Sequence, residues 1–161
     1  MPEIPVDDFV RFFGDGGIRA KLNWARLAAE CRVEVSAGRS RALLGDLRTV
    51  WYAGPDDRNR EFRDVDARPL RVRETGLTES SWPAGRAARI AEFEARFRAE
   101  AGPVQLPLPG YALGDGGFLL LDGTHRAVAA HRTGGDVRLL LFTVHGPLDE
   151  AMLPDLRHAA G

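Results

Sequence analysis

One stretch, "GFLLLDGTHRAVAAHRTGGDVRLLLFTV" (residues 117–144), constrains the fold more than any other. Two short apolar runs, "FLLL" and "LLLF", are consistent with buried strands. Between them, Asp122-Gly123 marks a tight turn. Thr124 then stands where a helix would be capped, and Gly134 where a helix running to Thr133 would stop. Strand, turn, helix and strand in this order require a helix laid on a sheet, so a mixed α/β (α+β) fold is expected.

The same unit extends upstream. "RPLRVRETGL" alternates Leu70 and Val72 with arginines and reads as a short strand. Ser80, Ser81 and Pro83 are helix-start residues. They precede "GRAARIAEFEARFRAEAG", whose Ile90, Phe93 and Phe97 share one stripe. Glu92–Arg96 and Glu94–Arg98 stand at the i,i+4 spacing of favourable pairs. "VQLPLPGYAL" is extended and proline-rich, "GDGG" (114–117) is a hairpin-type turn, and "LDEAMLPDLRHAA" is a final short helix. Residues 67–161 are therefore expected to form one α/β domain of order β-α-β-β-α-β-α.

Residues 1–66 are expected to be an N-terminal helical region packed on that core. Val6, Phe9, Val10 and Phe13 have helical spacing, broken at Gly14, Gly16 and Gly17. A helix is expected to resume with Ile18, Leu22, Ala25 and Ala29 and to run on through "CRVEV". "GRSRALLGDLRTV" suggests another short helix, and "WYAGPDDRNREFRD" a polar loop.

Composition excludes several classes. A hydrophobic fraction of 44% is enough for a real core, and a net charge of -1 supplies no broad basic field for nucleic acid. All 22 basic residues except Lys21 are arginine, which compositional bias explains more simply than phosphate binding. The single cysteine, Cys31, permits no internal disulfide and no cysteine metal site. "MPEIPVDDFV" lacks the basic and apolar regions of a signal peptide, and no apolar run approaches the ~20 residues of a membrane helix. The expectation is a cytoplasmic protein with no membrane partner.

The turn at 122–126 is the candidate site. A strand–turn–helix junction aims backbone N–H groups, and the positive end of the helix dipole, at whatever lies over the helix start. Gly123 admits a ligand close to the backbone, and His125 and Arg126 add donors in the first turn. Asp122 could orient His125, hold magnesium or contact a hydroxyl. The plainer alternative makes Asp122 a turn residue and leaves His125 and Arg126 solvated. His131 does not share a face with His125, so a His–His metal pair is not expected. His145 and His158 read as loop and solvated residues, and Trp24, Trp51 and Trp82 as core or rim packing.

On Asp122-Gly123 and His125-Arg126, and on the order of elements over residues 67–145, the chain resembles the ParB/sulfiredoxin-like superfamily. The resemblance implies a ParB/sulfiredoxin-like mixed sheet with helices. Thr124 stands where sulfiredoxins have their cysteine and where the chromosome-partitioning members have a glutamate. Too little chain follows "FTVHG" for a helix-turn-helix. The version Asp-Gly-x-His-Arg is similar to that of the free serine kinases. It implies that Gly123, Thr124, His125 and Arg126 bind nucleotide phosphates, with Asp122 at the reacting end. Those kinases also use a glutamate base ahead of the motif. Glu74 and Glu79 are the candidates, with Glu79 preferred beside the expected helix start.

The leading expectation is thus a small-molecule enzyme that uses ATP or ADP, with Mg2+, to move phosphate to a hydroxyl or carboxyl compound. The alternatives are a biosynthetic or tailoring enzyme that holds an anionic small molecule without nucleotide, and a ParB-like regulatory module that binds nucleotide or nucleic acid. Net charge counts against nucleic acid. Residues 1–66 are expected to form either the acceptor pocket or a homodimer surface.

Overall fold

A computed structural model describes residues 2–14, 18 and 21–158. The strands are β1 (Glu3–Ile4), β2 (Arg32–Gly38), β3 (Arg48–Ala53), β4 (Asn59–Arg60), β5 (Arg68–Arg71), β6 (Val104–Ala112), β7 (Phe118–Leu120) and β8 (Val137–His145). The α-helices are α1 (Val6–Phe13), α2 (Trp24–Glu30), α3 (Arg41–Asp46), α4 (Arg86–Ala99) and α5 (Thr124–Thr133). Two 3-10 segments, Val72–Ser81 and Pro154–His158, complete the described elements.

All eight strands join one mixed sheet, in the order β1-β2-β8-β6-β7-β3-β4, with β5 also on β3. β6 runs parallel to β8 and antiparallel to β7, while β7 runs parallel to β3. Two hydrophobic clusters cover its two faces. One gathers Leu44, Trp51, Ile90, Phe97, Leu106, Leu120 and Val128, and so seats α3, α4 and α5. The other gathers Phe9, Leu27, Val33, Tyr111, Leu121, Val144 and Leu153, and so seats α1, α2 and the C-terminal segment.

The expected order over residues 67–145 appears in this sheet. The hairpin at "GDGG" joins β6 to β7: Gly116 is left-handed (φ 82°), and Asp115 accepts from the Gly117 N–H at 2.9 Å and pairs with Arg48. The helix expected from Ser80 is corrected. Residues 72–81 form a 3-10 segment, and α4 starts only at Arg86, after left-handed Gly85. The expected Glu94–Arg98 pair forms at 3.2 Å.

The helical reading of residues 1–66 is corrected more deeply. α1 and α3 form where expected, α3 with Ser40 capping the Leu43 N–H at 3.1 Å. Residues 32–38 and 48–53, however, are strands of the same sheet that the later residues build. α2 ends at Glu30, and β2 then pairs with β8 along its whole length, from Arg32↔His145 to Gly38↔Leu139. The break expected at Gly16-Gly17 and residues 159–160 lie outside the described residues; within them, the helix expected over "LDEAMLPDLRHAA" is corrected to a 3-10 segment, Pro154–His158.

β6 carries two prolines inside the sheet. The Pro109 carbonyl accepts from the Leu121 N–H at 2.9 Å, so residue 109 faces the β7 side. Pro107, two residues earlier, faces the same way. Regular pairing to β7 covers only Gly110–Ala112, so the missing proline N–H groups fall where that ladder has ended. Beside this edge the chain leaves β7 and turns into α5.

Candidate functional site

Leu119, Leu120 and Leu121 are all buried, which anchors the chain up to the turn. Asp122 and Gly123 then redirect it. Gly123 is left-handed (φ 85°), and a Cβ there would come within 2.8 Å of both Leu108 Cδ2 and Arg126 Nη2. Any larger residue would be strained and would collide with Leu108 of β6. Helix α5 follows, with the Ala127 N–H closing the first turn on the Gly123 carbonyl at 2.8 Å. The expectation that Thr124 caps α5 is corrected. Gly123 is the capping residue, no side chain caps it, and Thr124 is buried as the first helical residue. Gly134 ends the helix in the left-handed conformation, as expected.

The residues of this first turn line a cleft of about 640 Å3, at a helix start whose first N–H groups have no partner within the helix. Asp122, Gly123, Thr124, His125 and Arg126 form one wall, so all five residues read from the motif are brought together. Asp122 and Arg126 face each other at 3.5 Å, both partly exposed. His125 stands edge-on to the Trp51 ring, with centroids 5.0 Å apart. The Arg86 guanidinium lies 3.9 Å from the Trp51 ring centre, and burial draws its pKa down to about 10, which leaves it a cation at neutral pH.

Other elements supply the remaining walls. β3 gives Val50 and Trp51, and α4 gives Arg89 and Phe93. Phe62, Lys21, Pro154 and Asp155 close the rest. Asp155 accepts a hydrogen bond from the buried Tyr52 hydroxyl. Burial pushes the Asp155 carboxyl above the usual carboxylate range, against the opposing pull of Tyr52 and His158. The Tyr52 phenol is pushed well above its usual range, first by burial and then by the Asp155 charge, so it stays protonated as a donor.

Glu79 does not join the motif. It pairs with Arg132 at 2.5 Å, and Arg132 sits in the last turn of α5. Glu74 is also elsewhere: it accepts from the Arg71 N–H at 2.9 Å and pairs with Arg68 at 3.4 Å. Neither glutamate lines the cleft. Trp82 packs on Trp51 behind the cleft wall. His131 is half-buried against Gly45, and His145 lies at the end of β8 beside Glu34. His158, expected to be solvated, is half-buried, with Nε2 2.6 Å from the Phe62 carbonyl and its ring on Tyr52.

Asp155, Lys21, Arg89 and Phe62 are among the cleft residues that the sequence alone did not single out. Phe93 was legible only as part of an apolar stripe. Asp155 lies in a segment read only as a final short helix and reaches the cleft beside β3, where it accepts from Tyr52.

Among the described residues, no three His, Cys, Asp or Glu side chains cluster to hold a metal, and no helix is long and apolar enough to cross a membrane. In comparisons with known proteins, the chain matches no family model, no curated sequence and no solved structure.

Proposed function

We propose that the cleft binds a nucleoside tri- or diphosphate such as ATP or ADP and serves phosphate transfer to a small molecule. The observation that carries this reading is one concavity in which a helix start meets cations and aromatic walls. The helix end, Arg126, Arg89 and Lys21 suit a chain of phosphates. Trp51, Phe62 and Phe93 suit a base and sugar, and a cleft of about 640 Å3 is of the size small-molecule sites have. The resemblance of Asp122-Gly123-Thr124-His125-Arg126 to the free serine kinase version of the ParB/sulfiredoxin-like motif points the same way.

Phosphate transfer needs mainly positioning and charge stabilisation, and these residues are of the kinds that provide both. Gly123 and the first turn of α5 would hold the terminal phosphate through backbone N–H groups, and Arg126 would grip it. His125, steadied against Trp51, would donate to a phosphate oxygen. A magnesium ion supplies charge neutralisation when bound. With no three-residue ligand cluster among the described residues, it would be held by the phosphates together with Asp122.

Thermal-shift titration with ATP, ADP and CTP, with and without magnesium, tests the proposal. A nucleotide that binds only the folded state raises the Tm by mass action, by about 2.7 kcal/mol of stability at a hundredfold excess over Kd. No shift with any nucleotide, together with a shift from inorganic phosphate or small carboxylates, would move the assignment to an enzyme that holds an anionic small molecule without nucleotide.

A further inference from the structure

Transfer to a hydroxyl requires a group to take its proton, and the glutamates ahead of the motif lie outside the cleft. Two carboxylates line it, Asp122 and Asp155. Asp122 is already engaged by the Arg126 guanidinium at 3.5 Å. Asp155 is built differently. It comes from the 3-10 segment Pro154–His158, and its Oδ1 is held by the hydroxyl of Tyr52, which is 2% exposed on β3. That bond fixes the carboxylate at the cleft wall from a rigid strand.

Resting on the phosphotransfer reading, we infer that Asp155 is the proton acceptor of the cleft and that the phosphate acceptor is a hydroxyl compound, not a carboxylate. The substrate O–H bond breaks as its oxygen forms a bond to the terminal phosphorus of a nucleoside triphosphate. The proton goes to the Asp155 carboxylate. The phosphorus–oxygen bond to the nucleoside diphosphate breaks, and its electron pair stays on the diphosphate. A carboxylate substrate has no proton to give up, so Asp155 would have no part in its phosphorylation.

Burial makes Asp155 a better base than an exposed aspartate, because its ionised form binds a proton more readily. Tyr52 and Arg48 of β3 face the Asp155 region, and His158 faces it from the same 3-10 segment. From the other cleft walls come Lys21, Arg89 and Arg126 as cations, with Asp122 and His125. The Tyr52 hydrogen bond favours the carboxylate form, so removing it should raise the pH at which Asp155 becomes active as a base.

The test uses the full chain with ATP and magnesium, offering glycerol as hydroxyl acceptor and acetate as carboxylate acceptor. Product is followed by phosphorus NMR across the acid and neutral range, and ATP affinity by calorimetry. Wild type should form glycerol phosphate and no acetyl phosphate. D155N should bind ATP within about twofold of wild type, transfer about 100-fold more slowly, and lose the acid limb of the pH profile. Y52F should keep transferring, with that limb moved to higher pH, and it carries the test if D155N does not fold. The inference is overturned, with the nucleotide site left standing, if ATP binds but any of three results appears: D155N transfers at the wild-type rate with its acid limb intact, the Y52F limb stays in place, or wild type fails to use glycerol. A wild-type protein that binds no ATP overturns the phosphotransfer reading and this one together.

Discussion

At the start of α5, Asp122, His125 and Arg126 stand around a concavity with aromatic walls. At its end, about 15 Å away along ten residues, Arg132 meets Glu79 and covers the Trp82 ring at 5.1 Å. Both ends carry an arginine, a carboxylate and a nearby tryptophan, yet of the two only the first lines the cleft of about 640 Å3. At the far end the charges satisfy one another at the surface. At the near end the Asp122–Arg126 pair is longer, at 3.5 Å against 2.5 Å, and lies where a bound anion would compete for the arginine. Residue type alone does not separate a binding group from a strut; the shape around it does.

The largest expected effect breaks the comparison at the near end. Asp122→Asn keeps the turn and removes the charge, so nucleotide turnover should fall about 100-fold with little change in Tm. A destabilised variant of normal specific activity would make Asp122 a strut like Glu79. Next, Arg126→Ala should weaken ATP or phosphate binding about tenfold by calorimetry, the loss of one charge-assisted hydrogen bond. Arg98→Ala, on an exposed pair of α4, should leave it unchanged. Equal losses in the two variants would remove α5 from the site.

A smaller effect concerns stability and pH. The folded-state pKa of Asp155 is raised, so its contribution is most favourable at low pH and is lost as pH rises through the folded value. Asp155→Asn keeps an acceptor for Tyr52 and cannot ionise. Its Tm should therefore equal or exceed that of wild type at neutral pH, with the advantage disappearing in acid. A Tm difference independent of pH would contradict this. The smallest effect belongs to the far end. Glu79→Gln should cost no more than about 1 kcal/mol in denaturant unfolding and leave turnover intact. A large loss of turnover would restore Glu79 as a participant.

Much of residues 67–145 was legible because most elements there, the 3-10 segment at 72–81 apart, carry their own local signal. The Ile90-Phe93-Phe97 stripe, the "GDGG" turn and the Asp-Gly junction all act within a few residues. β2 and β3 were missed for two different reasons. In "CRVEVSAG" the alternation of Val33 and Val35 with Arg32 and Glu34 was present, but it followed a helical period without a break and was absorbed into it. In "RTVWYA" Trp51 and Tyr52 point to opposite faces and both are buried, so no alternation survives. The motif half of the cleft was readable for the same local reason. The Asp155 half was not, because only the fold brings residue 155 to Tyr52.

The pairing of β2 with β8 bears on how the chain folds. Arg32 finds its partner in His145 and Gly38 in Leu139, so the early strand waits for the last one described. β8 also supplies the parallel partner of β6, from Val104↔Val137 to Tyr111↔Val144. Closing such distant pairings carries a loop-entropy cost that only the finished sheet repays, which makes folding slow relative to a helical chain of this size. During synthesis β2 would emerge with its apolar Val33 and Val35 uncovered until β8 follows, so a ribosome-stalled chain ending before Val137 should aggregate or recruit a chaperone where the full chain does not.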